Sequence, residues 1–144
     1  MQEIYESKES TTFFPNGKIK SQSFYADNRL HGPSRFFSEE GTLLSEVWFT
    51  DGKQEGEGRR YYPSGKPYAL LRYKEGKPEG LQEYFYEGGE IKSEIRCHQG
   101  RLEGTTTLYY KNGKKKREVT FSNGKKIGVD QLWDEEGTLF HGRL

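Results

Sequence analysis

Glycine returns on a fixed clock along this chain. Gly32, Gly56, Gly80, Gly104 and Gly128 stand 24 residues apart without an insertion, and Gly17, Gly41, Gly65, Gly89, Gly113 and Gly137 keep the same step. A third series, Gly52, Gly76, Gly100 and Gly124, repeats it, with Asn28 in the first place. Aromatic residues lock to the same period: Phe13, Phe37, Tyr61, Phe85, Tyr109 and Trp133. A fixed period of this length marks an array of supersecondary units rather than a single globule. The units read 8–31, 32–55, 56–79, 80–103, 104–127 and a partial 128–144, with a leader over 1–7. Only 31% of residues are apolar, and 15% of the chain is aromatic. Few aliphatics with much charge can signal disorder. The rings and the strict period point instead to one extended domain in which each unit touches only its neighbours.

Within a unit, "GKQEG", "GKPEG", "GRLEG" and "GKKIG" predict a loop with a glycine at each end. A short run such as "RRYY" follows, then a tight turn at "PNG", "PSG", "EGG" or "KNG". Asn-Gly between alternating runs signals a two-residue hairpin turn with both central residues at positive φ. The next run alternates: in "GTLLSEVWF", Leu43, Ser45, Val47 and Phe49 share one face, and Leu44, Glu46 and Trp48 the other. Period two between glycine-bounded ends is strand. The expected fold is all-β: an elongated, single-layer antiparallel meander of 24-residue hairpins with roughly eleven or twelve strands, on the order of 50 Å across, twisted and curled. The ladder from Phe13 to Trp133 is expected on its inward side. Cys97 takes the place held elsewhere by Tyr25, Phe49, Tyr73 and Phe121, and reads as a small core hydrophobe. Lys8 and Asn28 depart from the glycine pattern, so the first unit and the partial last one read as caps.

Charge narrows the function classes. The net charge is +1, from 23 basic and 22 acidic residues, with the signs interspersed. That balance makes no case for nucleic acid. One segment stands apart, "KNGKKKREVTFSNGKK", which carries Lys111, Lys114, Lys115, Lys116, Arg117, Lys125 and Lys126 against Glu118 alone. It reads as a solvated strand face, or as a site for a polyanion or lipid headgroup. His31, His98 and His141 sit at three different phases of the repeat, and no metalloprotease, nucleophile-elbow or phosphate-loop motif occurs. No catalytic residue, metal site or cofactor is therefore expected. The sequence has no 18-residue apolar run and "MQEIYES" lacks the apolar stretch of a signal peptide. As written, the chain is expected to be cytoplasmic, and envelope-associated if a leader has been removed.

The unit seen in "GLQEYFYEGGEIKSEIRCHQGRLEG" and "GTTTLYYKNGKKKREVTFSNGKKIG" resembles the variant MORN repeat, over nearly the whole chain. The array is similar to bacterial proteins grouped as YwqK-like antitoxins. That resemblance implies an elongated sheet used as a scaffold or as a toxin-neutralising partner. Tyr62, Tyr86 and Tyr110 recur one position after the ladder and should point to its opposite face, and with Trp48 and Tyr68 they form a second set of rings. They either staple neighbouring hairpins or form a recognition stripe. The expected function is a non-enzymatic protein–protein interaction module of antitoxin or immunity type that binds a toxin or effector. The alternatives are a scaffold or envelope-binding repeat, and self-association through the terminal strands.

Overall fold

The computed structural model describes residues 7–142, so all of the leader but Ser7 lies outside the described residues. Its fifteen strands form one antiparallel sheet without a helix among the described residues. The first unit holds β1 (Ser7–Phe13), β2 (Ile19–Ala26) and β3 (Arg29–Leu30); the second holds β4 (Gly32–Phe37) and β5 (Leu43–Thr50). Next come β6 (Lys53–Tyr61), β7 (Pro67–Lys74) and β8 (Lys77–Pro78), then β9 (Gly80–Phe85), β10 (Ile91–His98) and β11 (Arg101–Leu102). β12 (Gly104–Tyr109), β13 (Lys115–Ser122), β14 (Lys125–Trp133) and β15 (Leu139–His141) complete the sheet. Twelve strands follow one path in chain order, as the meander predicts, while β3, β8 and β11 pair back onto β2, β7 and β10.

Two kinds of corner alternate along this path. At Pro15–Asn16–Gly17 the Phe14 amide donates to Lys18 O (2.8 Å) and the Gly17 amide to Phe14 O (2.9 Å), and only the glycine has positive φ (+86°). This is a three-residue loop, a type I turn closed by a left-handed glycine. It corrects the expectation of two left-handed residues at "PNG". Paired left-handed residues occur at the other end of the strands, as Asp51 (φ 48°) with Gly52 (φ 83°) between the paired Thr50 and Lys53. The "GKQEG" segment is accordingly strand: Lys53 to Gly56 belong to β6, and Lys77–Pro78 is β8.

Cross-strand partners project to the same side of a sheet, so the register assigns each paired residue a face. Ser34, Ala69, Leu71, Gln82, Ser93 and Val119 are buried on one face, and Thr107 alone is buried on the other. We call the first the crowded face. Its apolar core is thin: Ala69, Leu71 and Val119 are 2%, 4% and 6% exposed, and no large side chain is fully buried among the described residues. Neighbours on the same face supply the cover. A Cβ on Gly58 would lie 3.1 Å from the Tyr73 ring, so the missing side chain there makes room for that ring. Val47, Phe49, Tyr73 and Cys97 share this face, as alternation predicts, and burial pushes the Cys97 thiol pKa up.

The other face carries charge. Gln22, Arg35, Glu46, Arg59, Leu70, Glu83, Glu94, Thr107 and Glu118 form one transverse row, each paired with the next across a strand boundary. Glu83 and Glu94 stand directly opposite, a like-charge pairing that costs stability unless each finds a partner. Arg72 Nη1 reaches Glu83 at 3.0 Å, and the Tyr109 hydroxyl donates to Glu94. The aromatic ladder also belongs here. Arg60 pairs with Ala69 on the crowded face, so Tyr61 must turn away from it. The ladder's expected inward placement is thus reversed.

Candidate binding surface

Successive units are stitched by bonds that repeat with the sequence. The hydroxyls of Tyr62, Tyr86 and Tyr110 donate to Phe85 O (2.7 Å), Tyr109 O (2.6 Å) and Trp133 O (2.8 Å), each 23 residues on. These three tyrosines therefore staple three of the six three-residue corners to the next unit while their rings remain half-exposed. At the opposite corners a carboxylate does comparable work. Glu55, Glu79 and Glu103 accept the amides of Glu75, Gln99 and Asn123 at 2.8, 2.7 and 2.6 Å. The Gln99 amide, helped by His98 at 2.8 Å, holds the Glu79 carboxyl below the usual carboxylate range. Sequence reading missed this role, although Glu at the fourth place of "GKxEG" carried the signal.

The staples bring rings together on the crowded face. Phe36, Ser45, Arg60, Ala69, Tyr84, Ser93 and Leu108 form one transverse row there, large residues alternating with small ones apart from the charged Arg60. Tyr62 meets Tyr68 edge-on at 5.1 Å between ring centroids, and Tyr68 meets Tyr84 at 5.7 Å. Lys92 lies 5.7 Å over the Tyr86 ring and Lys116 5.6 Å over Tyr110, placing cations on aromatic faces. Tyr68, Tyr84, Lys92, Ser93 and Ile95 line a shallow hollow of about 240 Å³. Tyr84, Lys92 and Ile95 were not singled out from sequence: Tyr68 and Lys92 are the extra residues of two bulges, skipped by the strand pairing, and strand alternation alone does not bring them together.

Trp48 does not join this cluster. It pairs with Pro33 on the charged face, 44% exposed, and its indole N–H reaches Glu46 at 3.4 Å. The basic segment is also dispersed. Lys111 and Lys114 sit at the three-residue corner before β13, and Lys125 and Lys126 follow the two-residue corner after it, at opposite ends of an eight-residue strand. Lys114 Nζ donates to Glu136 O (2.8 Å), and Lys115 pairs with Glu118 (2.7 Å) and lies over the Trp133 ring. Arg117 and Lys126 both bind Asp130, at 3.0 and 2.6 Å, which lowers that carboxyl's pKa. The charges of Lys115, Arg117 and Lys126 are thus met within the sheet. No group of three or more metal-ligating side chains forms among the described residues.

No curated protein sequence matches the chain. Among solved structures it is similar to the "Glycosylation Associate Protein (Gap123) complex from Streptococcus agalactiae", with 18% identity and a TM-score of 0.42. The match covers 72% of this chain and 19% of that one. The family model described as "MORN repeat variant" matches residues 7–27, 54–75, 78–96 and 102–123. With four matched units that together span more than half of its length, the chain belongs to the MORN repeat variant family.

Proposed function

We propose that this protein is a non-catalytic module that binds another protein through the tyrosine cluster of the crowded face. MORN repeats are non-catalytic units that mediate protein or membrane interactions, which supports the coarse reading. The observation that carries the finer one is the hollow between Tyr68, Tyr84, Lys92 and Ile95, whose Tyr68 ring packs edge-on against both Tyr84 and the stapled Tyr62. Rigid tyrosines bind at low entropic cost, and such residues dominate interface energetics. Of the residues proposed from sequence, Tyr62, Tyr68, Tyr86 and Tyr110 belong to this surface and Trp48 does not. The likeness to YwqK-like antitoxins makes a toxin or effector the partner to try first. An anionic-surface role for Lys111 to Lys126 has weaker support, since Lys114, Lys115, Arg117 and Lys126, four of that segment's seven cations, already bond within the sheet.

A photoreactive phenylalanine analogue at Tyr68, with Arg59 on the charged face as control, tests this in extract of the source cells. One protein partner captured from position 68 and not from 59, and lost on Lys92→Glu, is the expected result. Capture from 59 alone, or equally from both, overturns the proposal.

A further inference from the structure

The six three-residue corners form one edge of the sheet, and their charge alternates. The first carries Lys18, the second Glu39 and Glu40, the third Lys66, the fourth Glu87 and Glu90, the fifth Lys111 and Lys114, and the sixth Asp134, Glu135 and Glu136. All of these side chains are exposed except the half-buried Asp134. The signs therefore run plus, minus, plus, minus, plus, minus. An even number of alternating corners has a geometric consequence. Under a two-fold axis through the middle of the edge, the first corner meets the sixth, the second the fifth and the third the fourth, and every such meeting joins opposite charges.

The same edge gathers apolar surface. Phe13, Ile19, Phe36, Ile91, Leu139 and Phe140 are exposed within two residues of these corners, and only Trp48 and Ile127 of the large exposed hydrophobics lie elsewhere among the described residues. Exposed apolar groups bordered by charge mark contact surfaces. Corners two strands apart repeat at about 9.6 Å, so six of them span on the order of 50 Å. A strip of that length and about 15 Å wide would cover roughly 750 Å² per copy, near the size of a standard interface.

We propose that a second copy of this chain docks antiparallel along this edge, forming an isologous dimer whose register is set by the alternating corners. This rests on the charge pattern and stands apart from the tyrosine cluster. Its test uses purified protein alone, so its failure leaves the binding proposal untouched.

Two reversals decide it, read by sedimentation equilibrium. Glu39→Lys with Glu40→Lys makes the second corner positive, and Lys111→Glu with Lys114→Glu makes the fifth negative. Each variant alone then sets like charges against like across the two-fold. The wild type is expected to dimerise at about 20 mM salt, with its dissociation constant rising about tenfold or more near 500 mM as screening shortens the charge interactions. Each variant is expected to be monomeric at the same concentration, with an unchanged circular dichroism spectrum. Their equimolar mixture is expected to restore a dimer of one copy of each, which contacts between corners of the same copy cannot produce. A monomeric wild type at low salt, or a mixture that stays monomeric, overturns the proposal. Salt-insensitive association surviving both reversals does so too, and moves the contact to the edges of β1 and β15.

Discussion

The crowded and charged faces are built from the same strands at alternate positions, yet they solve different problems. On the crowded face, small residues opposite large ones let Tyr73, Arg60 and Tyr84 close over Ala69 and Leu71, so a sheet with no second layer still keeps some carbons dry. On the charged face, pairs such as Arg35 with Glu46 and Arg72 with Glu83 remain part-exposed and satisfy one another across strand boundaries. Burial supplies stability on the first face. On the second, charge fixes which strand sits beside which, since a slip of one residue would carry the row to the wrong side.

The contrast can be broken most directly at Leu71. Truncation to Ala is expected to cost about 2–4 kcal/mol in urea unfolding, because so few carbons are buried that nothing replaces the lost contacts. Gln82→Ala should follow at about 1–3 kcal/mol. Its side-chain amide accepts the Arg72 amide at 2.8 Å and donates to Arg72 O at 2.9 Å, and the Arg72 N–H would lose that partner inside the sheet. Tyr86→Phe removes one staple to Tyr109 O and is expected to cost about 1 kcal/mol. On the charged face, Arg35→Ala is expected to stay below about 1 kcal/mol, as part-exposed ion pairs do. A loss at Arg35 matching that at Leu71 would erase the distinction between the faces.

A pH titration sharpens the same comparison. The hydrogen bond to Glu94, with burial, pushes the Tyr109 pKa up to about 12. A raised folded pKa stabilises the protonated phenol, so that contribution is fully present below about pH 10 and is lost as pH climbs toward 12. Unfolding followed across this window should show stability falling with pH, and Tyr109→Phe should flatten the slope.

The repeat, the twelve-strand path and the alternation within each strand are legible in the sequence, because a 24-residue register of glycines admits few alternatives; the short β3, β8 and β11, in segments expected to be loops, are not. The assignment of turn types was not. Asn-Gly at 16–17 signals a two-residue turn on its own, but Asn16 Oδ1 accepts the Lys18 amide at 2.9 Å and Phe14 closes onto Lys18 O, so a longer loop wins. Once that corner gains a residue, the following strand shifts register and the ladder changes face. Alternation fixes faces within a strand and is silent between strands until the turn is known. That is why alternation alone points Tyr61 inward and does not bring Tyr84 or Lys92 beside Tyr68.

The proposed partner is expected to bind the crowded face and not the charged one. Titration calorimetry with the partner recovered by crosslinking tests it, comparing Tyr84→Ala/Lys92→Glu with Arg35→Ala/Glu46→Ala at matched folding. The account predicts affinity reduced about tenfold or more, on the order of 1.4 kcal/mol or more, for the first pair and nearly unchanged for the second. The opposite ranking would contradict it.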